Sequence, residues 1–313
     1  MSAPVVALGA HVLDILARPV NHIPEGQGAA LLEQVRFAPA GTAGGTAVGL
    51  AKLGLQTFAV GAVGDDTSGD LLVRLLAGHG VDTSHIVRKQ GIETSTSILP
   101  IRPNGERPAL HLPGANLAFS IDDVPWNVIE EAAFLHMGGN DVMRGLGRDG
   151  AATILRRAKE AGAATTMDLL GEGSPRILAI IAPALAFVDW FMPNAEQACR
   201  LTGAAGAEQA APALLQHGPK GVVLKMGERG SLMMTAQEKV LLPSYNVEVI
   251  DTSGCGDAYC AGFIRGLSMG WTPAECMRLG NAAAALVAQG LGSDAGIVDL
   301  DVTLRFMDET PMR

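Results

Sequence analysis

A glycine-punctuated turn around residue 254 has the composition of an anion-binding site. Residues 252–256 read Thr-Ser-Gly-Cys-Gly, and a helix-like stretch follows from Asp257 and ends at Gly270. A Gly-x-Gly turn that opens into a helix gathers backbone N–H groups around one point, and the helix dipole adds a partial positive charge there. The turn therefore predicts a site for an anion such as a phosphate group.

Asp257 stands at the mouth of this predicted anion site, where its charge would repel a bound phosphate. One interpretation is structural, because a carboxylate in the first turn of a helix stabilises it by roughly 0.3–1 kcal/mol. The other is catalytic, with the carboxylate accepting the proton of a hydroxyl group as the hydroxyl oxygen attacks phosphorus. These residues alone leave both interpretations open.

The rest of the chain predicts the scaffold that must hold this turn. Strand-like and helix-like segments alternate along most of the sequence, a pattern typical of a mainly parallel sheet with crossover helices. Predicted strands cover residues 5–9, 57–64, 165–170, 186–194, 221–227, 231–234 and 239–244, with another ending at 247–250. Predicted helices cover residues 45–54, 68–80 and 149–161, and a short one ends at 203.

Two β-rich segments, 93–101 and 106–114, interrupt this alternation. The residues between them, Pro103-Asn104-Gly105, are typical of a hairpin turn. A hairpin without its own covering helix must pack on something else, so we expect a lid over a site or an interface element, with a surface decoration as the alternative. Since no linker-like stretch is present, we expect one main domain, residues 1–313, into which this hairpin is inserted.

Composition excludes several classes of protein. The 313 residues include 23 Lys plus Arg and 32 Asp plus Glu, a net charge of −9, and 48% are hydrophobic. This acidic, apolar-rich balance disfavours disorder and nucleic-acid binding. The longest apolar run, 177–188, contains Pro183 and is shorter than the roughly 20 residues of a membrane span. Four cysteines without CxxC spacing and a start unlike a signal peptide favour a cytoplasmic location.

Residues 251–263, DTSGCGDAYCAGF, resemble the signature of the ribokinase-like (PfkB) sugar kinases. Every fixed position of that signature is met, with Cys255 in place of the usual small residue between the glycines. The resemblance implies that Asp257 is the catalytic base. It also implies that the transferring phosphoryl group is stabilised by the backbone amides of Gly254, Cys255, Gly256 and Asp257.

The resemblance continues over nearly the whole chain. It includes stretches 40–54, 61–72, 105–116, 193–203 and 225–232. It implies a three-layer α/β/α sandwich with a small β lid formed by about 15–38 and 92–115. The acceptor would be held by Asp14, Gly41, Thr42, Gly44 and Gly45, and the nucleotide by Asn194, Lys225, Gly227, Gly230 and Asn281. A K⁺ ion would lie at Asp251, Ser253 and Gly292, and Glu196 would hold Mg²⁺ through water.

Two positions depart from the family pattern. Gln197 occupies the acidic position of the N-x-x-E motif, with Glu196 one place earlier, and a neutral amide supplies a weaker field to hydrated Mg²⁺. Gly45 stands where ribokinases have a sugar-binding asparagine. Ribose is therefore less expected as the acceptor than another polyol or a nucleoside.

Three of these residues also have a plain structural interpretation. Asp251 could simply cap the turn that follows a strand, and Asn281 could make a buried hydrogen bond from its helix to a loop. Cys255 is either a reactive thiol, because a helix N-terminus lowers the pKa of a thiol, or a small residue that fits between glycines.

The resemblance implies an ATP-dependent kinase that phosphorylates a primary hydroxyl of a sugar, sugar acid or other carbohydrate. The alternatives are a nucleoside (adenosine-like) kinase and a non-catalytic sugar or nucleotide sensor on the same fold. A dehydrogenase is disfavoured because AHVLD, not G-x-G-x-x-G, follows the first strand. We expect lid closure to exclude water, a homodimer formed through the lid strands, and no nucleic-acid or membrane partner.

Overall fold

The computed structural model describes residues 4–103 and 106–313. Its strands are β1 (Val5–Gly9), β2 (Val12–Arg18), β3 (Gln34–Ala40), β4 (Thr57–Gly64), β5 (Asp82–Lys89), β6 (Thr96–Pro100), β7 (Leu110–Leu112), β8 (Phe134–Gly138), β9 (Ala164–Asp168), β10 (Trp190–Phe191), β11 (Gly221–Lys225), β12 (Ser231–Thr235) and β13 (Lys239–Leu242).

Ten α-helices occur among the described residues. They are α1 (Thr42–Lys52), α2 (Thr67–Gly78), α3 (Trp126–Glu130), α4 (Gly150–Glu160), α5 (Pro175–Leu185), α6 (Ala195–Thr202), α7 (Ala207–Leu215), α8 (Cys255–Ser268), α9 (Pro273–Ala288) and α10 (Leu300–Glu309). Short 3₁₀ turns lie at Gly114–Ala118, Ile121–Asp123, Asn140–Val142, Arg144–Leu146 and Gly227–Arg229. None of the helices in this part of the chain is both long and apolar enough to cross a bilayer.

A central sheet has the strand order β13-β12-β11-β10-β9-β8-β1-β4-β5. Its strands are parallel from β5 to β11, while β12 and β13 pair antiparallel at one edge. The parallel strands end at the same edge of the sheet, where β9 finishes with Asp168 and β11 with Lys225. Ligand sites in open α/β sheets lie beyond these carboxyl ends.

Helices cover both faces of the central sheet, because alternate residues of its buried strands point to opposite sides. On one face, Leu8 of β1 packs in a core with Ile154 of α4 and Ile181 of α5. On the other, Val5 of β1 packs with Ile264 of α8. The expected three-layer α/β/α sandwich is therefore confirmed.

A second, small sheet has the order β3-β2-β6-β7. The predicted hairpin is present as the antiparallel pair β6 and β7, and its turn at 104–105 lies outside the described residues. One face of the small sheet is buried, with Leu16, Ala38 and Leu99 packed against Leu291. The opposite face is exposed and carries Ile98.

The loop 289–296 after α9 fixes the base of the small sheet. The Asp294 carboxylate accepts two hydrogen bonds of 2.9 Å from Arg36 on β3, and Ser293 Oγ donates to the carbonyl of Pro39 at 2.8 Å. His79, at the end of α2, also lies 3.0 Å from Asp294. Residues more than 250 positions apart in the sequence therefore meet at this loop.

The strand expected at 247–250 is absent. The structure has no strand between β13 and α8, apart from an isolated bridge at Tyr245. The Ile250 N–H donates to the carbonyl of Ala288 at the end of α9, and the side chains of Val249 and Ile250 are about half exposed. The apolar pattern was misleading because this segment lies along α9 and not beside another strand.

Candidate active site

A cavity of about 670 Å³ opens at the carboxyl ends of the central strands. Its walls come from the ends of β9 and β11, the start of α8, the segment 245–252, and the middle of α9. Thr42 at the start of α1 and Arg107 in the loop between β6 and β7 also line it. The cavity therefore joins the predicted phosphate-binding turn to both the acceptor and the nucleotide sides.

The turn before α8 has the geometry that the sequence predicted. Gly254 has a φ of 71°, and a Cβ atom there would lie 2.3 Å from the Cβ of Ser293, so only glycine fits. No side chain among the described residues caps this end of α8. Apart from a long hydrogen bond of 3.4 Å from the Cys255 N–H to the carbonyl of Thr252, the first amides of the helix are therefore available to an anion in the cavity.

Asp257 lies in the first turn of α8 and lines the cavity. Burial raises its pKa to about 8, with Asp168 and Asp14 adding to the rise and Lys225 and Arg107 opposing it. A carboxyl group with a pKa near neutrality is suited to accept a proton during a reaction. Asp257 is only partly exposed. Its backbone carbonyl accepts a hydrogen bond from the hydroxyl group of Thr46 of α1.

Gly45 of α1 faces this carboxylate directly. A Cβ atom at Gly45 would lie 2.4 Å from Oδ2 of Asp257, closer than any non-bonded contact allows. An asparagine could not occupy this position without displacing the carboxylate. In this chain, the space beside Gly45 is taken by the carboxylate of Asp257.

Asp168 is a site residue that the sequence analysis missed. It ends β9, is 1% exposed, and forms an ion pair with Nζ of Lys225. The thiol of Cys260 also lies 3.5 Å from its carboxylate. The sequence could have indicated Asp168 as a site residue, because it is a polar residue at the end of a buried strand. Nothing in the sequence indicated Lys225 as its partner.

The predicted acceptor residues lie on two elements around Asp257. Asp14 is on β2, in register with Ser97 of β6, and burial raises its pKa to about 6 against the opposing effects of Ser97 and Arg107. The glycine-rich stretch is the start of α1, where Gly41 has a φ of 83°. Thr42 lines the cavity, and Gly44 packs against the ring of His11.

Arg107, also missed, brings a positive charge from the small sheet to the phosphate-binding turn. Its Nε lies 3.4 Å from Oδ1 of Asp251, and its Nη2 donates to Oγ1 of Thr252 at 3.4 Å. The side chain is 32% exposed and lines the cavity. It was overlooked because a single arginine in a β-rich segment gives no local sign of a distant partner.

The N-x-x-E region forms the start of α6, and the expected contact of Glu196 with hydrated Mg²⁺ stays a prediction. Asn194 and Gln197 make a reciprocal capping box at α6, with hydrogen bonds of 2.8 and 2.9 Å. Gln197 also donates to the carbonyls of Leu169 and Gly171, which explains why an amide suits this position. Glu196 is exposed and is not among the residues that line the cavity.

The other predicted nucleotide residues surround the cavity. Asn281 of α9 is 6% exposed and donates to the carbonyl of Pro243 at 3.1 Å, so the helix-to-loop hydrogen bond is present. Gly227 and Gly230 both line the cavity with positive φ angles. Lys225 lines it as well, although its ammonium group binds Asp168.

The residues expected to hold K⁺ lie together. Oδ1 of Asp251 accepts hydrogen bonds from the backbone N–H and the hydroxyl of Ser253, and Oδ2 accepts one from the N–H of Gly292 at 2.9 Å. The capping interpretation of Asp251 is therefore satisfied, and the K⁺ site stays a prediction. In the described parts of the chain, no group of three or more His, Cys, Asp or Glu could hold a metal ion.

Cys255 has the properties of a small residue that fits between glycines. Burial raises the pKa of its thiol to about 12, and the nearby Asp251 adds to the rise. A thiol with so high a pKa is a poor nucleophile near neutral pH. The reactive-thiol interpretation is therefore not favoured.

The fold and this site define a class of protein, the phosphotransferases that act on an alcohol group. A family model described as pfkB family carbohydrate kinase matches residues 3–299. The chain belongs to the PfkB family of carbohydrate kinases.

The individual proteins that the chain resembles have low sequence identity to it. Aminoimidazole riboside kinase of Salmonella typhimurium is 27% identical over 88% of this chain and 88% of its own length. 5-Dehydro-2-deoxygluconokinase of Geobacillus thermodenitrificans is 26% identical over 96% of this chain and 92% of its own length. A ribokinase-like structure from Escherichia coli, solved with ATP and Mg²⁺, superposes with a TM-score of 0.85 at 22% identity, covering 98% and 99% of the two chains.

Proposed function

We propose that this sugar kinase transfers the γ-phosphoryl group of ATP to a primary hydroxyl of a sugar, sugar acid or other carbohydrate, with Asp257 as the base. One observation carries the proposal: a carboxyl group with a raised pKa lies in a cavity beside the uncapped amides of α8. A base and an anion site at one point are what phosphoryl transfer to an alcohol requires.

In this mechanism, Asp14 and the start of α1 hold the acceptor with its hydroxyl against Asp257. The carboxylate accepts the hydroxyl proton as the oxygen forms a bond to the γ-phosphorus and the bond to the ADP oxygen breaks. The amides of residues 254–257 stabilise the charge on the phosphoryl oxygens. Since phosphoryl transfer passes through a loose transition state, positioning and electrostatics supply most of the catalysis.

The nucleotide would lie between α8 and α9. Its phosphates would meet the turn at Gly254, and its base would lie against the small residues of α9 near Asn281. The protein offers few ligands to a metal here, because Gln197 is used in capping and Glu196 faces outward. Mg²⁺ would therefore arrive with the phosphates and supply charge neutralisation, keeping mostly water and phosphate ligands.

The small sheet would close over the acceptor as a lid and also join two copies of the chain. Its inner face carries Asp14, and Arg107 from the same sheet reaches the phosphate-binding turn. Its outer face has an apolar row across all four strands, formed by Phe37, Ile15, Ile98 and Leu110. A second copy that covered this row would bury exposed apolar surface.

A nucleoside acceptor is the second candidate. The absence of a side chain at Gly45 removes the asparagine that ribokinases place on the sugar, and one relative phosphorylates a riboside, as its name states. Measuring ADP release across a panel of sugars, sugar acids and nucleosides distinguishes the two. Saturable binding with no ADP release for any compound would indicate a sensor and contradict the proposal.

The role of Asp257 is tested by the Asp257→Asn variant. We expect turnover to fall by at least about 100-fold, the lower range for loss of a general base, while ATP binding measured by calorimetry is retained. Asp301→Asn is a matched control, because Asp301 lies in the first turn of α10 and is exposed. The control should keep full turnover, and near wild-type turnover in Asp257→Asn would refute the assignment.

A further inference from the structure

Behind the proposed base lies a buried ion pair that the mechanism above does not use. The side chains of Lys225 and Asp168 are 12% and 2% exposed, and the ammonium group contacts Oδ2 of the carboxylate. The two residues end β11 and β9, on either side of β10. Removing one partner of such a pair would leave an uncompensated buried charge. The charges of Lys225 and Asp168 therefore depend on each other.

Lys225 also contacts the turn that carries Asp257. A Cβ atom at Gly256 would lie 3.2 Å from Nζ of Lys225, so the ammonium group packs directly under the backbone of the turn. On α8, Cys260 is one helical turn after Asp257, and its Sγ lies 3.7 Å from the same Nζ. The ammonium group therefore touches α8 on both sides of Asp257 in the sequence.

We propose that Lys225, held by Asp168, is a positioning residue for Asp257: it supports the phosphate-binding turn and supplies the positive charge that favours the carboxylate form of the base. This inference rests on the proposed role of Asp257 and deepens it. The expected role of Lys225 as a nucleotide-binding residue stays a prediction, with its ammonium group paired to Asp168.

The charges around Asp257 show why such support is needed. Asp168 of β9 and Asp14 of β2 raise the pKa of Asp257, as does its burial, while Lys225 of β11 and Arg107 of the small sheet lower it. The positive charge of Arg107 is also paired with the carboxylate of Asp251. Of the two cations that lower the pKa of Asp257, Lys225 has the larger effect, and its side chain is the more buried.

The remaining titratable neighbours carry no competing charge near neutral pH. Burial raises the pKa of Cys255 to about 12 and that of Cys260 well above its usual value, so both thiols stay protonated. Burial, together with Lys225, lowers the pKa of His136 to about 3. Burial opposes the charge of Lys225 itself, but the charge and the hydrogen bond of Asp168 raise its pKa, so the ammonium form persists.

Two variants should shift the pH profile in opposite directions. Since kcat/KM reports the base of the free enzyme, it should rise with pH through about 8 in the wild type. Lys225→Met removes a favourable charge and should move this rise up by about one pH unit, the lower range for a nearby opposite charge. Asp168→Asn removes an unfavourable charge and should move it down.

Controls separate this effect from a general loss of structure. Cys260→Ser alters the third member of the cluster without changing its charge and should leave the midpoint of the profile in place. If Lys225→Met does not fold, the double variant Asp168→Asn/Lys225→Met removes both buried charges together. Its midpoint should then lie above that of Asp168→Asn alone, and equal midpoints would overturn the inference.

A measurement without turnover keeps this inference distinct from the proposed function. In protein labelled at the aspartate ¹³Cγ, the resonance missing from Asp257→Asn identifies Asp257, and its titration can be followed directly. We expect the same opposite shifts in the two variants. An unmoved Asp257 titration would refute the positioning role even in an active kinase, whereas shifted titration in an inactive protein would refute the kinase function alone.

Discussion

The contact between Gly45 and Asp257 depends on the absence of a side chain at position 45. The carboxylate of Asp257 occupies the space beside Gly45 that any larger residue would need. Gly45 lies inside α1, where glycine costs roughly 1 kcal/mol of helix stability relative to alanine. The glycine therefore reduces local helix stability but allows α1 to approach Asp257, the proposed base, closely.

The Gly45→Ala variant should favour the α1 helix and yet lower activity. The new methyl group would displace the Asp257 carboxylate, so kcat/KM should fall by at least about tenfold, as expected when a catalytic group is misplaced by an ångström or less. ATP affinity should stay near the wild-type value. The measurement is steady-state kinetics together with calorimetric ATP binding.

Gly78→Ala provides the matched control, because a Cβ atom at Gly78, at the end of α2, would meet no atom within 4 Å. It should leave kcat/KM unchanged. Gly45→Ala with wild-type kinetics would mean that the carboxylate does not depend on this space.

Predictions about individual residues were confirmed where the structure is local. The Gly-Cys-Gly turn opens into α8 as its sequence indicated, while its role as an anion site stays a prediction. The capping of α6 by Gln197 was not predicted, although its partner Asn194 is only three residues away. Asp168 and Lys225 are 57 positions apart, and only the strand order brings them together. No pattern in the sequence around either residue specifies that pairing.

At the scale of elements, the loop between β6 and β7 connects the small sheet to the start of α8. Arg107 makes this connection through Asp251 and Thr252. Closure of the small sheet over an acceptor would therefore place a positive charge near the transferring phosphoryl group. A positive charge stabilises the transition state of phosphoryl transfer most strongly where water is excluded.

Removal of this charge should impair catalysis more than nucleotide binding. For Arg107→Met we expect kcat/KM for the acceptor to fall by about 10- to 100-fold, corresponding to a charged hydrogen bond of about 1.5–3 kcal/mol. Arg102→Met is the control from the same segment, because Arg102 pairs with Glu106 at an exposed position. A loss of activity in both variants alike would point to a general disturbance of the hairpin.

The elements themselves were predictable to the extent that their patterns were unambiguous. The hairpin at 93–114 and the alternation of strands and helices are confirmed, since turn residues and apolar periodicity specify them locally. The apolar residues of 247–250 had the pattern of a strand, yet the segment packs along α9. Which surface an apolar segment covers depends on the finished fold.

For the molecule as a whole, the outer face of the small sheet is the feature that most needs a partner. Phe37, Ile98 and Leu110 are 44%, 47% and 61% exposed, and the edge strand β7 is exposed along its length. Exposed apolar sheets with free edges are prone to pair with other chains. Pairing through this face is the basis of the proposed homodimer.

Charges placed on this face should separate the two copies. The Ile98→Lys/Leu110→Lys variant should sediment as a 32.3 kDa chain, whereas the wild type should sediment at twice that mass. Ile180→Lys changes a residue of α5 that is 43% exposed and should leave the assembly unaltered. A wild-type protein that sediments as a single chain at micromolar concentration would contradict the proposed dimer.

The loop 289–296 has a consequence for the order in which the molecule is built. It holds β3 through Arg36, and its Ser293 packs against Gly254 at the start of α8. A ribosome delivers β3 long before this loop, and a domain generally folds as a unit. The proposed acceptor side and the predicted phosphate-binding turn therefore cannot reach their final arrangement before the loop 289–296 has emerged from the ribosome.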